Sequence, residues 1–195
     1  KAVVLTKDSR DNLSVFVRQN STCMAFIGTN SWVILSSLEQ VIKEKIEAKG
    51  LPLKDWEISI NYGIKTGCNE AFIVNSETRE LILNNCKDEA ERIRTAELIR
   101  PILRGRDITR YGYNFAGIYL INAHNGVKEA GIPRVFIESE YPAIKEHLDS
   151  FWKEISKRSD KGDTPYNLRN CAYLEEFYKP KIIYPNMTKF LPFVF

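Results

Sequence analysis

Six arginines, Arg92, Arg94, Arg100, Arg104, Arg106 and Arg110, fall between residues 92 and 110, and from Arg100 onward only Asp107 opposes them. A guanidinium fork reads guanine edges bidentately and binds phosphate, and Arg104-Gly105-Arg106 lets backbone and two forks approach one groove. Surface ion pairing with Asp107 and nearby glutamates is the competing use of the same side chains. A second group lies in Gly63-Ile64-Lys65-Thr66-Gly67-Cys68-Asn69, a polar stretch with a glycine at each shoulder. Lys65, Thr66 and Asn69 offer an ammonium, a hydroxyl and an amide, which are groups that contact phosphates and base edges. An ordinary polar hairpin loop has the same composition. The basic run from Lys157 to Arg169, with Arg158, Tyr166 and Arg169, suits either a backbone clamp or a solvated loop. Asn186, Thr188 and Lys189 repeat the polar-tip arrangement near the end of the chain.

Catalytic constellations are harder to assemble. The chain has two histidines, His124 and His147, and neither neighbours a nucleophile in sequence. Cys68 with these histidines is the nearest approach to a cysteine hydrolase. The Gly63–Gly67 stretch lacks the Gly-Lys-Ser/Thr ending of a phosphate-binding P-loop. There is no Asn-Pro-Pro-aromatic tetrapeptide and no glycine-rich loop suited to S-adenosylmethionine. Glu138 and Glu140 lie near Lys145 without the strand setting of a metal-dependent nuclease. No catalytic residues and no metal ligands are therefore expected in this chain.

The elements that must position these groups follow from periodicity. Trp56, Ile58, Ile60 and Tyr62 alternate with polar residues, the period of a half-buried strand, and Ala71–Val74 suits a buried partner strand; together they predict a central hairpin with residues 63–69 at its tip. Ser36 three residues before Glu39 reads as a capping box for a helix ended by Gly50 and Pro52. The pattern of residues 88–103 is helical, with a break near residue 100 imposed by Pro101. Gly117–Ala123 reads as a strand and Val135–Ile137 as a short one. Tyr141–Lys157 is the longest helix expected, with Pro142 in its first turn. Lys181–Tyr184 reads as a buried strand, and Ala2–Leu5, Leu13–Val17 and Met24–Ile27 as short β-like runs. Strands and helices mix without βαβ alternation, so the expected class is α+β, with mostly antiparallel twisted sheets and a few flanking helices.

Composition sets bounds on these readings. A chain of 195 residues, 44% hydrophobic and 27% charged, can build a real core and is not disordered. The net charge of +3 is too mild to argue for nucleic acid by itself, so any such surface must come from local clustering. Four scattered cysteines without a C-x-x-C pair suit reduced thiols in the cytoplasm better than zinc or disulfides. No apolar run reaches the roughly 18–20 residues of a membrane-crossing helix. Starting at Lys1 and ending at Phe195 in apparent mid-strand, the chain is expected to be a fragment of a larger polypeptide, truncated at its C-terminus.

Taken together, several spaced segments resemble a known family. Gly63–Ile73 (GIKTGCNEAFI), Leu98–Ile108 (LIRPILRGRDI), Tyr141–Ile144, Thr164–Arg169 and Lys179–Tyr184 are similar, in order, to the TaqI-like C-terminal specificity domain. That domain occurs in adenine-specific DNA methyltransferases and fused restriction–modification enzymes of the type II class. The resemblance spans roughly residues 36–195 and implies a DNA target recognition domain there, with residues 1–35 as a linker or the trailing segment of an upstream methyltransferase domain. It implies double-stranded DNA as partner and no catalysis by this piece. The catalytic Asn-Pro-Pro-Tyr motif and the S-adenosylmethionine site would lie in that upstream domain, in the bacterial cytoplasm. Lys65, Arg106, Arg110, Arg158 and Lys189 are then expected at phosphates, and Thr66, Asn69, Arg104 and Asn186 at base edges, with Arg169 and Thr188 beside them. Two other classes stay open: a protein interaction module that does not bind nucleic acid, and a methyltransferase or nuclease active in its own right.

Overall fold

The computed structural model describes residues 2–5, 12–21, 23, 33–188 and 192–195. The chain is α+β, as its sequence pattern predicts. It divides into two units, Lys1–Ile60 and Asn61–Phe195.

The described residues of the first unit hold helix α1 (Leu13–Asn20), helix α2 (Ser37–Lys49) and a 3-10 turn at Leu53–Asp55. Leu13–Val17 is thus helical and not β-like; the Met24–Ile27 run lies outside the described residues. The capping box forms as expected. The Ser36 hydroxyl accepts from Glu39 N–H, and the Glu39 carboxylate accepts from Ser36 N–H at 2.7 Å. That bond from the Ser36 N–H, with one from the Ser36 hydroxyl at 2.8 Å, holds the Glu39 carboxyl below the usual carboxylate range. The four large apolar residues of α2, Leu38, Val41, Ile42 and Ile46, stand exposed, and no described residue of this unit is buried.

The predicted central hairpin does not form. Trp56–Tyr62 is not a strand, and its apolar residues are exposed. Alternation specifies a strand only where a second strand satisfies its backbone groups. Ala71 and Phe72 belong to a short helix, α3 (Asn69–Phe72), which runs directly into strand β1 (Ile73–Asn75). The partner of β1 lies far along the chain.

Helix α4 (Ser76–Asn84) follows. Asn75 caps it by accepting from Thr78 N–H at 2.8 Å. Helix α5 (Glu89–Leu98), capped by Asp88, stops where the chain enters strand β2 (Ile99–Pro101). Next come strands β3 (Ile108–Thr109), β4 (Gly112–Tyr113) and β5 (Ile118–Ile121). The main sheet has order β1-β5-β2, with Ile73 opposite Leu120 and Arg100 opposite the same residue from the other side. Both outer strands are antiparallel to β5, so β1 and β2 run parallel to each other. The chain therefore enters β1 at the Ile121 end of β5 and leaves β2 at the Ile118 end.

Helices α6 (Ile137–Glu140), α7 (Pro142–Asp149) and α8 (Trp152–Ile155) complete the unit. Ile137 begins a helix instead of ending a strand, and the long helix expected from Tyr141 is split near Ser150. Of the apolar face that periodicity predicts, Ile144, Leu148 and Ile155 point inward together with Ala143, and Phe151 packs against them, whereas Trp152 is exposed. The inward side chains pack with Phe72, Val74, Leu98, Ile99, Leu120, Ile121 and Leu168 into one core. Each fully buried aliphatic side chain contributes about 1.5–3 kcal/mol from water exclusion. Lys181–Tyr184 is not a buried strand either; it supplies a single bridge, with Ile183 and Val194 exchanging backbone hydrogen bonds of 2.8 and 3.0 Å.

Candidate nucleic-acid interface

The described residues expected at DNA fall into two groups within the second unit. The first surrounds the 63–69 loop ahead of α3, and the second follows β2. The sheet directs the two segments off opposite ends of β5.

In the first group, Arg158 is an interior residue, only 7% exposed. Its Nη1 donates to the Thr66 and Asp160 carbonyls, and its Nη2 to those of Pro165 and Asn167. The guanidinium also lies over the Phe72 ring, 4.4 Å from its centroid. Burial pulls its pKa below the ordinary arginine range, offset only in part by Cys68 and Asp160, and four main-chain carbonyls hold the cation. This corrects the expectation of a phosphate contact at Arg158, since its fork is spent on backbone. Thr66 is interior as well, and its hydroxyl donates to Asn69 Oδ1 at 2.6 Å. Gly67 sits at φ +66, and a Cβ there would come within 3.0 Å of Asp160. Only glycine takes that conformation at that closeness without strain.

The loop tip is therefore fixed from beneath, leaving Lys65 and Asn69 exposed. Lys65, Asn69, Glu70 and Asp160 edge an open cleft of about 430 Å³. Two carboxylates against one lysine make a poor phosphate seat. Arg169 is exposed but paired with Asp160 at 3.2 Å, which reduces what it offers a phosphate.

The second group is more strongly cationic. A 3-10 turn at Gly105–Asp107 brings Arg104 onto Asp107 in a two-pronged contact, Nε to Oδ2 at 3.0 Å and Nη2 to Oδ1 at 2.9 Å. These hydrogen bonds hold the Asp107 carboxyl below its usual range and raise Arg104. The two nitrogens best placed for bidentate base reading are thus engaged within the protein, a correction to the expected role of Arg104. Arg106 and Arg110 are exposed and form no salt bridge among the described residues. Between residues 100 and 116, and between 180 and 195, the only acid is Asp107, and both its oxygens are held by Arg104.

Strands β3 and β4 pair Ile108 with Tyr113 and Thr109 with Gly112, so Arg110-Tyr111 forms a two-residue turn. The Tyr111 N–H donates to the Phe193 carbonyl at 3.1 Å, and their rings meet edgewise at 5.4 Å. Gly105 fits so closely on Pro185 that a Cβ would lie 2.8 Å from the proline Cβ. The turn, the hairpin and the segment carrying Asn186 and Thr188 are therefore neighbours. Asn186, Met187 and Thr188 are exposed, and Lys189 lies outside the described residues.

Arg104, Arg106, Arg110, Asn186 and Thr188 are thus brought together, while Lys65, Thr66, Asn69, Arg158 and Arg169 form the other group. The sequence reading passed over Tyr111, although Thr109-Arg110-Tyr111-Gly112 carries a turn signature in its glycine. The cysteine hydrolase reading gains nothing: His147 Nε2 bonds the Ala71 carbonyl at 3.0 Å, and His124 Nδ1 accepts from Gly126 N–H. Among the described residues no cluster of His, Cys, Asp or Glu has the makings of a metal site, and no helix is long and apolar enough to cross a membrane. The chain matches no protein-family model and no curated protein.

Proposed function

We propose that the second unit recognises double-stranded DNA, as the target recognition part of an adenine-specific methyltransferase of the type II restriction–modification kind, alone or fused to an endonuclease. The observation carrying this reading is the pair Arg106 and Arg110, exposed and without a salt bridge among the described residues, in a stretch whose one acid, Asp107, is held by Arg104. Two exposed, unpaired guanidiniums stand on a braced turn and hairpin beside the Asn186 segment, and the one local carboxylate is neutralised by Arg104. The ordered similarity of the GIKTGCNEAFI and LIRPILRGRDI segments to such domains supports the same conclusion. Arg106 and Arg110 then set register on phosphates, while Asn186 and Thr188 reach base edges. Methyl transfer, S-adenosylmethionine and adenine flipping belong to an upstream domain, with this part holding the flanking duplex.

Fluorescence anisotropy on a mixed-sequence duplex across a salt series tests this. Arg106→Ala and Arg110→Ala should each weaken binding and flatten the log–log salt slope by about 0.9, one phosphate's share. No duplex binding at low salt, or unchanged slopes in both variants, overturns it. Methyl transfer or cleavage by the chain alone, with S-adenosylmethionine or magnesium, would favour an enzyme in its own right. A protein-binding role has one specific observation behind it, the exposed Leu38, Val41, Ile42 and Ile46 of α2.

A further inference from the structure

Tyr111 is the only non-glycine residue with positive φ among the described residues, at 64°. For a bulky side chain that conformation costs on the order of 1–3 kcal/mol and persists only where its surroundings hold it. Three contacts do so here: the β3–β4 pairing, the Tyr111 N–H bond to the Phe193 carbonyl, and the edgewise packing of the two rings. The strain does not bury the ring. Tyr111 remains 68% exposed, with the Arg110 guanidinium 5.3 Å from its centroid. Apart from its edge on Phe193, the ring is held outward at the tip of a braced hairpin beside Arg110, with most of its surface open to a ligand.

We propose that Tyr111 is a base-stacking residue, its ring receiving the face of a nucleobase opened out of the helix while Arg110 and Arg106 hold the adjoining phosphates. This rests on the DNA-binding reading above. Stacking on an aromatic ring tolerates any base, since every base has a π-face, and a neighbouring guanidinium adds a cation to the stack. The position thus supplies affinity for a locally opened site without choosing its sequence.

The test uses the 195-residue chain and three probes: a mixed-sequence duplex, the same duplex with one unpaired 2-aminopurine, and the corresponding single strand. The wild-type chain should bind the bulged duplex more tightly than the perfect one and quench the 2-aminopurine. Tyr111→Gly, which relieves the backbone strain, should keep or raise the melting temperature. It should weaken binding to the bulged probe roughly 5- to 100-fold, lose the quench, and leave the salt slope unaltered. Tyr111→Phe should behave as wild type, and Tyr111→Asn, which tolerates the turn, should match the glycine variant. A parallel loss on the single strand supports stacking and makes any unpaired base its source. Undiminished affinity and quench in Tyr111→Gly and Tyr111→Asn overturn the stacking role and leave DNA binding standing. Failure of the wild-type chain to bind any of the three probes overturns both.

Discussion

Arg158 and Arg106 illustrate how little a residue's type says about its task. Both sit in basic, polar stretches. One is interior, held by four carbonyls, and the other is exposed with no salt bridge among the described residues. Nothing near Arg158 in sequence announces this, because one of the four acceptors, Thr66, lies 92 positions away. Arg104 was legible in one of its two readings, since Asp107 stands three residues on and takes its fork. Lysine cannot reproduce the grip of Arg158: a compact ammonium has three donors and no planar fork. Arg158→Lys should therefore lower stability by about 2–4 kcal/mol, as a buried charge-assisted network loses partners. Urea unfolding followed by tryptophan fluorescence checks this, and a change below about 0.5 kcal/mol would show the network to be incidental.

Helix ends were the most legible elements because their signals are local. Ser36 with Glu39, Pro142, and the break before Pro101 each act within one turn, and each stands where the pattern puts it. Strands were less legible, since pairing is a property of two segments. β1 pairs with β5, whose Leu120 stands opposite Ile73 after two intervening helices and three intervening strands, whereas Trp56–Tyr62 has the better alternation and no strand partner among the described residues. Among helices, Glu91 forms a junction that periodicity cannot reveal. Its buried carboxylate accepts from Lys87 N–H at 2.9 Å, ahead of α5, and from Ala143 N–H at 3.0 Å, in the first turn of α7. A charge shared between two helix starts suits both sets of unsatisfied amides. Glu91→Gln presents an N–H to one of those donors and should cost about 1–3 kcal/mol. Thermal unfolding by circular dichroism, with Glu91→Asp alongside, would read this; an unchanged midpoint for Glu91→Gln would mean the junction contributes nothing.

At the scale of the whole molecule, composition and mixed periodicity were enough to assign α+β. The division at Ile60/Asn61 was not legible, because the alternating run from Trp56 to Tyr62 reads as part of one continuous hairpin. Every residue from Leu51 to Ile60 is exposed, so this connecting stretch should be cut first by proteases. Trace trypsin or chymotrypsin should cleave at Lys54, Trp56 or Tyr62 and leave a resistant piece spanning most of residues 61–195. Mass spectrometry identifies the cut, and first cleavage inside α4–α8 would contradict the division. Arg158 has a further consequence at this scale. It grips main-chain oxygens, so the shape of the 63–69 loop does not depend on which side chain Lys65 presents outward, whereas Asn69 takes part in that shape through the bond it accepts from Thr66. Position 65 can therefore be rewritten freely while the scaffold beneath it stays constant.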